Sequence, residues 1–429
     1  MFRKAWCAAA LAAAMLPAHA QDQTREEVKI LQQRVDELER RMQEASAPKQ
    51  SENAFNPAVS AILNGVYSNL SQDPNTYRIN GFVPTMGDVA PPRRGFSLGE
   101  SELGIAANVD HLFRGTLIAA IQPDGSGVEV EEAYIQTLAL SRGFSVKAGR
   151  FFSAVGYQNQ IHAHAWDFTD QPLVMKAFLG GQLNDDGVQV KWVAPTELYV
   201  DVGAEFTRGH AFPASDPDRN GAGAVNWFAH LGGDIGASLA WQTGLSYLTT
   251  SPRERVYDDP QSGTSNSFSG ASKLWALSGV LKWAPEGNST VNNFKLQGEY
   301  FRRSESGELT FDPAGAALTD GYASRQSGWY AQGVYQFMPQ WRVGYRYDQL
   351  DSGTTSIGLV DSGALTAADF PVLAGYKPKR HTAMVDWSPS EFSRVRLQLA
   401  RDYSRQSQPD NQVFLQYIVS LGAHGAHTF

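Results

Sequence analysis

A single cysteine in 429 residues, Cys7, excludes a disulfide framework, because a lone thiol has no partner within the chain. Beyond residue 20 no stretch reaches the roughly 18 to 20 consecutive apolar residues of a membrane-spanning helix. Charge is sparse, at 19% Asp, Glu, Lys and Arg, and the formal net charge of -8 excludes a generally basic nucleic-acid binder. No nucleic-acid partner is therefore expected. Nucleophile motifs, phosphate loops and ligand arrays of metal-site spacing are missing too, so the sequence predicts no enzyme, no cofactor and no metal centre.

What is present is glycine and aromatic side chains, with 40 Gly, 22 Phe, 16 Tyr and 10 Trp. Their arrangement is most informative in residues 413–429. Val413, Leu415, Tyr417, Val419 and Leu421 share one parity, Phe414, Gln416 and Ile418 begin the other, and the final residue is Phe429. This predicts a strand with one apolar face. An unpaired terminal strand is an aggregation-prone edge, so it must close onto another strand, and in a membrane the closed solution is a β-barrel. Outer-membrane lipid is then the surrounding medium. The terminal Phe429 resembles the signal by which bacterial outer-membrane proteins engage the barrel assembly machinery.

Arg3 and Lys4 precede an apolar run from Ala8 to Leu16, followed by Pro17 and Ala18-His19-Ala20. This is the layout of a cleavable secretory signal over residues 1–20, with the mature chain expected to start at Gln21 and Cys7 removed. Residues 21–46 then predict a coiled-coil helix. Val28, Leu31, Val35, Leu38 and Met42 fall at a and d positions, and Arg34 and Glu39 at g and the following e. The alternative is a single solvated helix. A polar linker follows over 47–56, and the barrel is expected over 57–429.

Period-two alternation predicts sixteen antiparallel strands. They are placed at 57–69, 97–109, 112–122, 128–140, 143–152, 186–194, 197–208, 224–236, 238–249, 273–285, 292–304, 326–338, 340–350, 380–388, 391–403 and 411–421. Tight links such as Asp110-His111, Pro195-Thr196 and Met338-Pro339 alternate with loops mostly 15 to 33 residues long. Short periplasmic turns and long outer loops produce that alternation. It puts both ends of the barrel, and the coiled coil, in the periplasm of a Gram-negative cell.

The run Ser145 to Gly156 (SVKAGRFFSAVG) resembles the corresponding segment of the phosphate-selective porin family, as do the signal segment, the heptad run and the closing strand. The resemblance implies an outer-membrane pore, a homotrimer, and passage of small solutes or ions, anions among them. The segment His162 to Phe168 (HAHAWDF) and the closing GAHGAHTF are also similar to barrel proteins labelled receptors. A plugged receptor would need a domain of well over a hundred residues, and only 36 (21–56) precede the first strand.

A barrel of about sixteen strands leaves an aqueous lumen. The long loop 153–185 carries Trp166, Phe168, Met175, Phe178 and Leu179, too apolar for water, and is expected to fold inward as a constriction bearing His162, His164, Trp166, Asp167 and Asp170. Packing over the mouth or on a neighbouring subunit is the alternative. Assigning the apolar parity to lipid places Lys147, Arg342, Arg346, Arg394 and Arg396 inside as pore-lining, solute-binding residues. The four arginines could form an anion-attracting stripe or pair with Asp348, Asp386 and Asp402 as a structural lattice. His162 and His164, with Asp167 and Asp170 close behind, are metal-ligand types, although loop histidines more often serve hydrogen bonding. The expected function is passive diffusion of small solutes or ions; the alternatives are a metal-handling or receptor-like barrel and, with least support, an outer-membrane hydrolase.

Overall fold

The computed structural model describes residues 57–422 other than 86, 88, 123–126, 217 and 219. The expected signal segment, coiled coil, linker, His424, His427 and Phe429 lie outside the described residues.

Within 57–422 the chain forms one antiparallel barrel of sixteen staves. They are β1 Ala58–Leu70, β2 in two pieces (Gly95–Leu98 and Ser101–Asn108), β3 Phe113–Ile121, β4 Val128–Thr137, β5 Phe144–Phe152, β6 Asn184–Val193, β7 Tyr199–Thr207 and β8 Ala224–Ile235. There follow β9 in two pieces (Leu239–Thr250 and Arg255–Asp258), β10 Ser265–Trp283, β11 Asn293–Phe311, β12 Leu318–Met338, β13 Trp341–Ile357, β14 Lys379–Ser390, β15 Ser393–Asp402 and β16 Asp410–Gly422. Both pieces of β2 pair with β1, and both pieces of β9 pair with β10, so each pair of pieces is one interrupted stave. Each stave pairs with its sequence neighbours, and β16 pairs with β1 from Ser60↔Gly422 to Leu70↔Gln412. That pairing leaves the closing strand no free edge.

Alternation separates the two faces. On β16, Leu415 and Tyr417 are 48% and 51% exposed on the outer wall, while Phe414 and Gln416 are 0% and 3% exposed inside. Aromatic pairs mark two levels of the outer wall. Trp275 and Trp283, like Trp329 and Phe337, stand eight residues apart on one stave. Eight residues span about 26 Å along a strand, or about 20 Å of height at a tilt near 40°, and the rings extend this toward the apolar band of an outer-membrane barrel. At the short-turn level Trp341 stacks on its cross-strand partner Trp387 at 6.0 Å.

The structure corrects two expectations. Staves β10 to β13 run 17 to 21 residues, well past the expected strands at 273–285, 292–304, 326–338 and 340–350. Their extra residues, such as Glu305 to Glu308 and Ser324-Arg325, carry Ser, Glu, Arg and Gly, because the outer face of a ladder rising above lipid need not be apolar. The links at 259–264 and 312–317 are consequently six residues, not long loops.

The second correction concerns the interior, which is not lined by polar parity alone. Leu274, Ala276, Phe301, Tyr330 and Leu350 point inward and pack against Ile79 and Phe82 of the loop 71–94 and against Val155, Leu173, Val174, Met175, Phe178 and Leu179 of the loop after β5. A second cluster joins Phe370, Val372 and Leu373 of the loop 358–378 to Tyr257, Phe268, Leu309 and Tyr322. These loops therefore fold into the mouth, joined by Ala211 and Phe212 of the loop 208–223, whereas the sequence predicts this only for the loop after β5.

Candidate functional site

The loop after β5, residues 153–183, crosses the lumen because its backbone finds acceptors on the wall. The Glu205 carboxylate on β7 accepts from Ala154 N at 2.8 Å and from the Ser153 hydroxyl. Glu299 on β11 accepts from Tyr157 N and Gln158 N at 2.8 and 2.9 Å, and from the Tyr330 hydroxyl at 2.7 Å. Gly156 makes this approach feasible. Its φ is +70°, and a Cβ there would lie 2.1 Å from Glu299 Oε2.

Farther along, the helix α1 (Leu173–Leu179) is buried on every residue. Pro172 precedes it and offers no side-chain cap; Leu173 N instead donates to Asp348 Oδ1 of β13 at 2.9 Å. A wall carboxylate thus satisfies one of the free N–H groups at the helix start. Gly180, at φ +71°, ends the helix with its N–H on Met175 O.

Between these anchors lie the charged residues expected at the constriction, and the structure divides them into two groups. Asp167 and Asp170 face cations of the opposite wall. Asp167 meets Lys295 Nζ at 3.0 Å and Arg342 Nη1 at 3.1 Å. Asp170 pairs with Arg346 at 3.0 Å and with Arg380, and accepts from Gln398 at 3.0 Å. Burial works against both charges, but the neighbouring Lys295 and Arg342, and Arg380 and Arg346, hold the two carboxyls well below the usual carboxylate range.

His162 and His164 face away from these aspartates. Their rings stack at 5.8 Å, and both address carboxylates of β2 and β4. His164 Nδ1 lies 2.7 Å from Glu102 Oε1, and His162 Nε2 lies 3.1 Å from Glu132 Oε2. Burial resists a charge on His162, yet Glu131, Glu132 and Glu102 overcome it and raise its proton affinity well above the ordinary histidine range. The histidines and the two aspartates therefore belong to separate groups, and the histidines make the hydrogen bonds that loop histidines more often serve.

The basic stripe is present on β13 and β15, but as part of a lattice. Arg342 bonds Asp386 through two nitrogens at 3.0 and 2.6 Å. Arg346 bonds Asp348 at 3.1 Å and donates to Asp170 O at 2.7 Å. Arg396 donates to Trp166 O at 2.8 Å, and Arg394 reaches the same oxygen at 3.5 Å. Arg346 and Arg396 are 1% and 0% exposed, so in this conformation they anchor the loop beneath it and do not line water. Lys147 lies on the Tyr134 ring at 4.5 Å. Arg380 was missed because it heads its stave, although it shares the inward parity of Asp386. Glu131 and Glu132 were missed because successive residues should face opposite ways.

The stretch 166–170 stands between two cavities. One, about 800 Å³, reaches Glu100, Glu129, Glu131, Trp166, Thr169, Asp170 and Lys176. The other, about 560 Å³, lies at the short-turn end and reaches Asp167, Asp234, Lys282, Lys295 and Arg342.

No family model matches the sequence. The chain is 32% identical over 354 residues to an uncharacterized protein of Aquifex aeolicus (strain VF5), covering 79% of this chain and 71% of that one. Among solved structures it is similar in fold to OmpT, an outer membrane protein of Vibrio cholerae. The loop L8 deletion mutant of OmpT superposes with a TM-score of 0.52 at 12% identity, and an in-vitro folded trimer form with 0.51 at 11%, each covering 85% of this chain and 99% of that one. OprB of Pseudomonas putida gives 0.51 at 14% identity, covering 88% and 97%.

Proposed function

The chain belongs to the same family as the uncharacterized Aquifex aeolicus protein and has the fold of outer-membrane porins, and from that premise we propose that it is a passive diffusion porin, without a catalytic step, whose aperture is set by residues 153–183. The observation that carries this reading is the loop itself. It is held across the lumen by Glu205, Glu299, Asp348 and Arg396, with a cavity on either side of residues 166–170. Volumes of about 560 to 800 Å³ suit solutes of sugar or amino-acid size.

The two cavities differ in charge. Glu100, Glu129 and Glu131 reach the one at the long-loop end, while Lys282, Lys295 and Arg342 reach the other. An anion, which the phosphate-porin resemblance implies as cargo, would meet its cations at the short-turn end, with Arg346 and Arg396 acting through the loop they hold. The short turns face the periplasm in this reading. Three barrels associate through their apolar outer walls, as the trimer form of Vibrio cholerae OmpT suggests. Liposome swelling with neutral sugars of rising size tests the proposal. Swelling rates should fall steeply beyond disaccharides; correctly folded protein that admits no solute would overturn it.

A further inference from the structure

We propose that His162 of the loop, Glu102 of β2 and Glu131 of β4 form a binding site for a divalent transition-metal ion at the edge of the larger cavity. The site rests on ligand spacing first. His162 Nδ1 lies 3.4 Å from Glu102 Oε2 and 3.4 Å from Glu131 Oε2, and ligand atoms of all three residues fall within 4.8 Å of one another. Around a tetrahedral zinc ion with bonds of about 2.0 to 2.1 Å, ligand atoms stand about 3.3 to 3.4 Å apart. Imidazole with two carboxylates is a donor set that zinc and its neighbours accept and magnesium, which favours all-oxygen shells, does not.

The surrounding hydrogen bonds orient the candidate ligand atoms. His162 Nε2 is engaged by Glu132 Oε2 at 3.1 Å, the carboxylate–histidine contact that orients metal-ligating imidazoles, so Nδ1 is the nitrogen directed at Glu102 and Glu131. Glu102 Oε1 is occupied by His164 Nδ1 at 2.7 Å, which turns Oε2 toward His162. Glu131 is only 7% exposed, and its buried Oε2, like His162 Nδ1, has no hydrogen-bond partner. The two atoms face each other at 3.4 Å, a contact too long for a good hydrogen bond, and an ion that displaces the Nδ1 proton would satisfy both.

The backbone contributes a third, separate observation. Ile118 pairs with Glu132 and Ala119 with Val130, leaving Glu131 as the extra residue of a β-bulge. A bulge re-aims a side chain. Here it brings two successive carboxylates to one side, Glu131 as ligand and Glu132 as the partner behind His162. The cavity of about 800 Å³ reaches Glu131, giving an ion an entry path and leaving a coordination position for water or a passing solute.

The test uses untagged, detergent-solubilised full-length protein, so it is independent of pore activity. Titration calorimetry with zinc chloride should show one saturable site per chain, and magnesium chloride should show none. Cobalt(II) should develop visible absorption bands in the unsubstituted protein. Glu131→Gln and His162→Gln should each weaken zinc binding at least tenfold with heat-modifiable folding retained; His210→Gln, in an exposed loop, should not. Absence of saturable zinc binding, or full affinity in both folded variants, would overturn the proposal. If a variant fails to fold, the cobalt spectrum decides: a featureless spectrum on saturation refutes the site.

Discussion

Replacing Asp170 with Asn should loosen the crossing loop more than any other single charge removal on it. Three cations surround this carboxylate: Arg346 and Arg380, each 1% exposed, and Lys176, whose Nζ lies 3.9 Å away. Asp348 and Asp402 supply the other negative charges, at 3.1 Å from Arg346 and 3.8 Å from Arg380. Three positive groups balanced by three carboxylates thus become three balanced by two, among side chains that are almost wholly buried. Removing one partner of a buried ion pair costs about 3 to 5 kcal/mol. At about 1.4 kcal/mol per tenfold, loop opening should rise about 100- to 4,000-fold. Native-state hydrogen exchange reads this directly at Leu173 N, bonded to Asp348, and at the α1 amides. Asp167→Asn is the contrast. Its partners Lys295 and Arg342 are about a fifth exposed, and Arg342 keeps Asp386, so the cost should be about 1 to 2 kcal/mol. Equal protection of α1 in folded Asp170→Asn and parent protein would refute the claim that this ion network docks the loop.

Further outcomes follow from the same geometry. Gly156→Ala puts a Cβ against Glu299 at a left-handed position and should cost about 3 kcal/mol at that corner, seen as about 100-fold faster exchange of Tyr157 and Gln158 amides. Because Asp167 and Asp170 have depressed pKa values, the docking they provide is present above the unfolded-state value near 3.9 and is lost only as pH falls through the lower folded-state values. Exchange protection of α1, corrected for intrinsic rates, should therefore hold from pH 7 to about 4 and decline below that. Single cysteines at the exposed positions His210 and Asp216 should label from outside intact cells while one at Pro195 should not, and the reverse pattern would invert the barrel. Deleting Phe429 should lower the yield of heat-modifiable barrel in the outer membrane without blocking secretion. Native mass spectrometry should find a trimer that survives deletion of residues 24–45.

Strand count and closure were legible because lipid forces a parity rule on every residue that touches it, as Val413 to Leu421 show. Above the membrane the rule lapses, which is why no alternation marks the upper halves of β10 to β13. Burial of the loop 153–183 was legible in Trp166, Phe168 and Phe178, since such residues must be covered. The inward Leu274, Phe301 and Leu350 that cover them were not, because apolar residues on both parities look the same whether they meet lipid or a loop. Partner choice in the site depends on register. Which wall His162 faces is set by Glu102 on β2 and by Glu131 and Glu132 at a bulge of β4 that no local pattern announces, and Asp170 finds Arg380 across 210 residues of sequence.

Planar-bilayer conductance tests the central claim most directly. The parent protein should give discrete open steps, and a folded variant with residues 157–182 replaced by a short glycine-serine link should give larger ones, because the crossing loop is removed. Folded protein that gives no steps in either form, or steps of the same size in both, would contradict a passive pore narrowed by this loop.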